Sequence, residues 1–160
     1  MQWLKDKLIE PNLLDEEMAK LRSQKLTIAS LNGSFDLLHA GHLYIISEAA
    51  KQADVLIVAL NSDASIQAYK GKNRPIIPLI HRLEMMAALQ FVDYVTWFDE
   101  TDPREVLKKI RPNVHVNGAE YGAHCIEAAV VQSCGGKVHL VDRIPGLATS
   151  QIIERILCAK

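Results

Sequence analysis

Cysteine is scarce in this chain. Its 160 residues hold three, Cys125, Cys134 and Cys158, an odd number at spacings that fit neither a zinc site nor a redox pair. The pattern argues against a disulfide framework and predicts reduced thiols. Net charge is nearly absent as well. At a formal −1 the chain has no overall field to draw in nucleic acid or an anionic membrane. No apolar run approaches the length of a membrane span. The first ten residues carry Lys5, Asp6, Lys7 and Glu10 and lack the apolar stretch of a signal peptide. The expectation is a cytoplasmic protein with no nucleic-acid and no membrane partner. Two chemical signatures are also missing. The Gly-x-Gly-x-x-Gly fingerprint does not follow the first apolar run, which argues against an NAD-dependent oxidoreductase. No Ser-His-Asp or Cys-His constellation suggests a covalent nucleophile.

What is present is an ordinary globular composition, 49% apolar and 23% charged, in a chain long enough for one well-filled core. Apolar runs of strand length alternate with stretches of helical period. Strands are predicted at Lys25 to Leu31, Asp54 to Leu60, Val92 to Trp97, Val114 to Val116 and Lys137 to Val141. Helices are predicted at Gly41 to Ala53, Leu79 to Gln90, Pro103 to Ile110, His124 to Ser133 and Gln151 to Leu157. Strands that read as buried on both faces, alternating with helices, predict an α/β fold: a doubly wound, five-stranded parallel sheet, Rossmann-like, covered on both faces. An extra helix at Leu13 to Arg22 lies outside this repeat. The organisation expected is therefore an N-terminal helical extension over 1–24 and a single α/β domain over 25–160, with no linker or internal repeat. In such a fold the ligand lies at the carboxyl ends of the strands, where their order reverses.

The loop after the first strand carries the strongest signal. Leu31 is followed by Asn32-Gly33-Ser34-Phe35-Asp36 and then by His39-Ala40-Gly41-His42. A glycine turn running into a helix start offers backbone amides to an anion. Two histidines three residues apart share one side of that helix, and Gly41 between them allows a close backbone approach. The combination suits phosphates. Two histidines at this spacing also suit a metal, but no third ligand of matching type lies nearby, so no metal site is expected. A third reading makes them unrelated surface residues; their position directly after an apolar strand argues against it.

Gly33-Ser34-Phe35-Asp36 with His39-Ala40-Gly41-His42 resembles the signature of the cytidylyltransferase-like nucleotidyltransferase superfamily. Within it the chain is similar to the bacterial D-glycero-β-D-manno-heptose 1-phosphate adenylyltransferases, which make ADP-heptose for lipopolysaccharide core. The similarity runs from about Lys25 to Ile156 and includes Ala59-Leu60-Asn61-Ser62-Asp63, Lys70-Gly71-Lys72-Asn73-Arg74-Pro75-Ile76, Arg82 and the Pro145-Gly146 segment. It implies transfer of AMP from ATP, with Mg²⁺, to a sugar 1-phosphate, with release of pyrophosphate. It places His39 and His42 on the nucleotide's phosphates, together with the turn Asn32, Gly33, Ser34, Phe35 and Gly41. It sets Lys70 and Lys72 near phosphate groups and Asp63 near the sugar phosphate, with Asp36, Arg74 and Arg82 on the same substrate side. His39, His42 and Lys70 are the catalytic candidates. A homodimer and a separate sugar kinase as functional partner are further implications.

The remaining loops have readings of their own. Lys70, Lys72 and Arg74 place three cations within five residues, stiffened by Pro75 and Pro78; this suits a phosphorylated substrate or a solvated basic loop. Arg82, on an otherwise apolar helix, either snorkels to solvent or makes a phosphate contact or structural ion pair. Asn117-Gly118-Ala119-Glu120 follows the fourth strand. The similar enzymes usually show Lys-Gly-Gly-Asp here, so Asn117 removes a cation and leaves sugar recognition open. Arg143, Gly146, Thr149 and Ser150 follow the fifth strand. Thr149 or Ser150 is a ready N-cap; hydroxyls and amides at a helix start are equally a second anion site. Ala148 replaces a hydroxyl common at this point, and Arg143 matches an arginine of glycerol-3-phosphate cytidylyltransferases. A cytidylyltransferase acting on glycerol 3-phosphate or a similar polyol phosphate is thus the alternative reading. A nucleotide-binding module without catalysis and a scaffold role complete the range.

Overall fold

The computed structural model describes residues 2–122, 125–142 and 144–159. Strand β2 (Val55–Asn61) is buried over its whole length, as a strand covered on both faces must be. Beside it lie β1 (Ile28–Gly33) and β3 (Tyr94–Phe98); beyond β1 lie β4 (Val114–Gly118) and β5 (Lys137–Val141). The order across the sheet is β3-β2-β1-β4-β5 and every pair is parallel. The chain winds from β1 outward to β3, then returns to place β4 on the other side of β1. The switch point therefore lies between β1 and β4, the crevice where doubly wound sheets bind ligands.

Side-chain alternation divides the core in two. Leu56, Val58 and Leu60 of β2 and Ala29 and Leu31 of β1 face α3 (Ala40–Ala50) and α5 (Leu79–Ala87), packing on Ile46, Ala49, Leu83 and Met86. Val55, Ile57 and Ala59, with Ile28, face α2 (Leu14–Ser23) and α6 (Arg104–Ile110), packing on Leu14, Met18, Leu21, Val106 and Ile110. The strand period of two assigns each residue of β2 to one face or the other. A third, smaller cluster joins Leu107 to Val130, Val131 and Val138, seating α7 (Ile126–Ser133) beside β5.

The segment expected to lie outside the repeat packs against it closely. A short helix, α1 (Gln2–Lys7), precedes α2. Leu8 pairs in parallel with Val95, and the Ile9 amide donates to the Val95 carbonyl at 2.9 Å. Lys7 Nζ donates to the carbonyls of Leu89 and Val92 at 3.1 and 2.6 Å. Residues 7–9 thus cover the exposed edge of β3.

Several boundaries differ from expectation. β1 begins at Ile28, because Lys25 takes a left-handed φ of 63° that no strand continues through. α3 closes at Ala50 and α5 at Ala87, each short of the apolar pattern that suggested it. The stretch after β2, expected as loop, folds into α4 (Asp63–Lys70), with the Ser62 hydroxyl accepting from the Ser65 amide at 3.2 Å as its N-cap. α8 (Thr149–Cys158) closes the described chain.

Candidate active site

A cavity of about 670 Å³ opens at the carboxyl edge of the sheet, a size suited to a nucleotide-scale ligand. β1 supplies Asn32 and Gly33 at its floor and β4 supplies Asn117 and Gly118. Ser34, Phe35, Asp36, Gly41, His39 and His42 border it from the turn after β1 and the start of the helix that follows, Lys70 and Arg74 from the end of α4 and the segment after it, and Glu120, Thr149 and Ser150 from the segments after β4 and β5. The sheet order thus gathers residues from four loops between 32 and 150 into one crevice.

His39 is the N-cap position of α3 and His42 lies in its first turn. Their rings stack with centroids 3.8 Å apart at 24°, and Phe35 meets His42 edge-on at 5.4 Å. Both are half-buried and border the cavity; neither is sealed beneath apolar side chains. The glycines serve a different purpose from the one expected. Gly33 is the last residue of β1 and has no left-handed φ; the strained residue of the turn is Phe35, at φ 46°. A Cβ on Gly33 would sit 3.1 Å from the Phe35 ring, and one on Gly41 would sit 3.0 Å from the His39 ring and 3.3 Å from Leu147. Both glycines make room for neighbouring rings.

Three residues expected on the substrate side make strong contacts within the protein. Asp36, 2% exposed, accepts from Arg74 Nε at 2.7 Å and from the amides of Ile76 and Ile77 at 2.8 Å each. Burial by itself raises its carboxyl; the two amides and the Arg74 guanidinium outweigh that and hold it below the usual carboxylate range. Arg82, 1% exposed, donates to the carbonyls of Ser34 (2.6 Å), Asn61 (2.9 Å) and Ile77 (2.9 Å) and to Asp63 Oδ1 at 2.7 Å. Asp63 accepts in addition from the Leu79 amide at 2.9 Å. Arg82 is therefore a structural ion pair rather than a snorkelling side chain. Asp36, Asp63 and Arg82 lock the turns after β1 and β2 to the 74–79 segment through these contacts. Lys72 is exposed and does not line the cavity, and Gly146, at φ 76°, also lies off its wall.

The β5 loop also corrects an expectation. Neither Thr149 nor Ser150 is the N-cap of α8. Ala148 holds that position and has no side-chain cap to offer, so both hydroxyls fall in the first helical turn, at the cavity wall. Arg143 lies outside the described residues, as does His124.

Lys70 donates to Ser34 Oγ at 3.1 Å. Burial, and then the positive charge of Arg74, push its ammonium below its ordinary pKa. Sequence reasoning missed several wall residues: Tyr69, Tyr121, Ile126, Glu127 and Leu147. Glu127 is buried and lies 3.4 Å from Asn117 Nδ2. Its place in the first turn of α7 was the one signal that it would face the sheet edge. The Glu120 carboxylate folds back against Gly118, where a Cβ would clash with it. The cavity is thus cationic on its α4 side and anionic on its β4–α7 side. Among the described residues, no cluster of three or more His, Cys, Asp or Glu is placed to hold a metal, and no helix is long and apolar enough to cross a membrane.

A parallel sheet wound in this order, with a ring-lined turn and two helix starts facing one crevice at its switch point, defines a nucleotide-binding domain of the doubly wound class. The chain belongs to the cytidylyltransferase-like family of nucleotidyltransferases, whose profile matches residues 30–155. It is 42% identical over 137 residues to the bifunctional protein HldE of Syntrophotalea carbinolica, covering 85% of this chain and 28% of that protein. It is 42% identical over 144 residues to the bifunctional protein HldE of Campylobacter curvus, covering 88% of this chain and 30% of that protein. The chain thus spans about three tenths of the length of these relatives. Among solved structures, a lipopolysaccharide core biosynthesis protein from Thermoplasma volcanium superposes with a TM-score of 0.60 at 26% identity, over 74% of this chain and 97% of that one. A pantoate-β-alanine ligase from Francisella tularensis shares the fold, with a TM-score of 0.63 at 15% identity over 95% of this chain and 79% of that one.

Proposed function

We propose that this domain transfers AMP from ATP to a heptose 1-phosphate, giving ADP-heptose and pyrophosphate. The observation that carries the reading is the pair of stacked histidine rings at the start of α3, bordering the switch-point cavity with the cation Lys70 on one side and the α8 start on the other. The HldE relatives and the lipopolysaccharide core biosynthesis neighbour support the heptose assignment.

The chemistry needs no covalent intermediate. An oxygen of the sugar phosphate attacks the α-phosphorus, the bond from that phosphorus to the bridging oxygen breaks, and pyrophosphate leaves with the electron pair. A phosphate anion is a nucleophile at neutral pH, so no general base is required. Positioning and charge stabilisation supply the rate. His39 and His42 donate to oxygens whose charge grows in the transition state, and Lys70 holds the acceptor's phosphate. The turn at 32–35, with Thr149, Ser150 and Arg143, binds the remaining phosphates. Asn117, Gly118 and Glu120 border the nucleoside. Asp36 is not free to hold a cation, since Arg74 and two amides occupy its oxygens. Mg²⁺ fits here as an ion carried by the triphosphate, where it shields charge. A sugar kinase is the functional partner that supplies the 1-phosphate, and we include a homodimer and a cytoplasmic location in the reading.

The test is pyrophosphate release with heptose 1-phosphate and either ATP or CTP. Turnover with ATP supports the reading. Turnover only with CTP and glycerol 3-phosphate replaces it with the polyol-phosphate cytidylyltransferase to which the arginine at 143 points. Nucleotide binding without turnover on either acceptor reduces the domain to a binding module.

A further inference from the structure

Tyr69 has a place in the site that its sequence neighbourhood did not reveal. It stands in the last turn of α4 with its side chain on the cavity wall, and it is 47% exposed. A tyrosine this exposed on a helix end ordinarily swings freely. This one is held at both ends: its backbone belongs to the helix, and its hydroxyl lies 2.7 Å from Ser34 Oγ in the turn after β1. The same Ser34 oxygen accepts from Lys70 Nζ, which stands over the Tyr69 ring, 5.3 Å from its centroid. One hydroxyl thus fixes an aromatic face and a cation side by side.

Tyr69 lines the cavity, and with its hydroxyl engaged what the ring has left to offer a ligand is an apolar, electron-rich face beside the Lys70 ammonium. Such a face attracts C–H groups and cations. A phosphate engaging Lys70 brings whatever it carries onto that face. An acyclic polyol has no flat apolar side to lay there; a pyranose ring has one. The wall lies on the β2–α4 side of β1, across the cavity from Asn117, Gly118 and Glu127 of the β4–α7 side.

We propose that Tyr69 is a tethered platform for the sugar ring of the acceptor, with Ser34 as its positioning residue, so that this site selects cyclic sugar phosphates over acyclic ones. The proposal rests on the sugar-phosphate reading given above. The experiment compares wild type with Tyr69→Leu and Tyr69→Phe in steady-state pyrophosphate release, varying heptose 1-phosphate and ATP separately, with glycerol 3-phosphate as a competing ligand. An exposed side chain lets both variants fold. An aromatic stacking contact is worth about one factor of ten in affinity. Tyr69→Leu is expected to raise the KM for heptose 1-phosphate about tenfold. The ATP KM and the inhibition constant of glycerol 3-phosphate stay unchanged. Tyr69→Phe keeps the face but loses the tether, and falls between the two. An unchanged sugar-phosphate KM in Tyr69→Leu overturns the platform, as does a loss that falls on ATP or equally on glycerol 3-phosphate. If wild type itself releases no pyrophosphate with heptose 1-phosphate, the underlying reading fails, and the platform fails with it.

Discussion

Gly41→Ala separates the needs of the fold from those of the site. Gly41 lies inside α3, one residue past the start of the helix, where alanine is the better helix former by up to about 1 kcal/mol. On helix propensity alone the variant is neutral or slightly stabilised. The added methyl group, however, would stand 3.0 and 3.1 Å from Nδ1 and Cε1 of His39 and 3.3 Å from Leu147 Cβ. Ordinary contact begins near 3.4 Å, so the imidazole must retreat by a few tenths of an ångström. It cannot do so without changing its 3.8 Å stack on His42. A misplacement of about 1 Å costs roughly a hundredfold in rate, so a shift of this smaller size is expected to lower kcat about tenfold. The assay pairs pyrophosphate release with a thermal melt. The expected outcome is a Tm at or above wild type together with the lowered kcat. Wild-type kcat would show that the placement of the His39 ring does not matter to the chemistry.

Other outcomes follow from the same contacts. On the proposed mechanism His42→Ala removes a donor to a developing oxyanion and is expected to lower kcat about a hundred- to thousandfold with little change in Tm; near-normal turnover refutes the role of that ring. Arg82→Met leaves three backbone carbonyls and Asp63 without their shared donor and is expected to cost about 3 kcal/mol, chiefly from the unsatisfied carbonyls, read as a large fall in Tm by calorimetry. His115 sits fully buried in β4, 2.7 Å from Ser30 Oγ, and burial lowers its pKa from an ordinary 6.5 to about 4. Above pH 6.5 the ring is neutral in both states. Between 6.5 and 4 only the unfolded chain takes up the proton, so stability falls as pH falls, by about 3 kcal/mol in total. Denaturant melts of wild type and His115→Gln across that window should show the steeper pH slope in wild type; equal slopes would remove His115 as the cause.

Much of this architecture is legible in the residue order. The strand at Lys137–Val141 is found where its apolar run lies, and the alternation of apolar runs with helical periods correctly gives a five-stranded parallel sheet. The histidines of the β1 turn can be placed from sequence because an apolar strand and a helix start bracket them. What stays hidden is long-range. Nothing in Phe35-Asp36 shows that the carboxylate will be consumed by amides 40 and 41 residues downstream. Helix α4 escapes notice because Ile66 is its one buried hydrophobe, too little for a helical period; its Ser62 cap was the readable signal. Tyr69 is hidden for the same reason, since its meaning depends on Ser34, 35 positions away.

The internal contacts of Asp36, Asp63 and Arg82 bear on the proposed reaction, which uses no nucleophile from the protein. If positioning supplies most of the rate, the loops that position must not move when charge develops. Turns after strands are ordinarily the mobile parts of a domain. Here the turn after β1 is held from within: Arg82 grips the Ser34 carbonyl, and Asp36 is bound by Arg74 and the amides of Ile76 and Ile77. Arg82 also grips the Asn61 carbonyl at the end of β2 and the Asp63 carboxylate at the start of α4. One buried guanidinium therefore couples the turn after β1 to the helix that carries Tyr69 and Lys70. Damage at Arg82 should appear first as lost stability, and in any variant that still folds as a rise in KM for both substrates, because the turn after β1 and the start of α4 both hang on it.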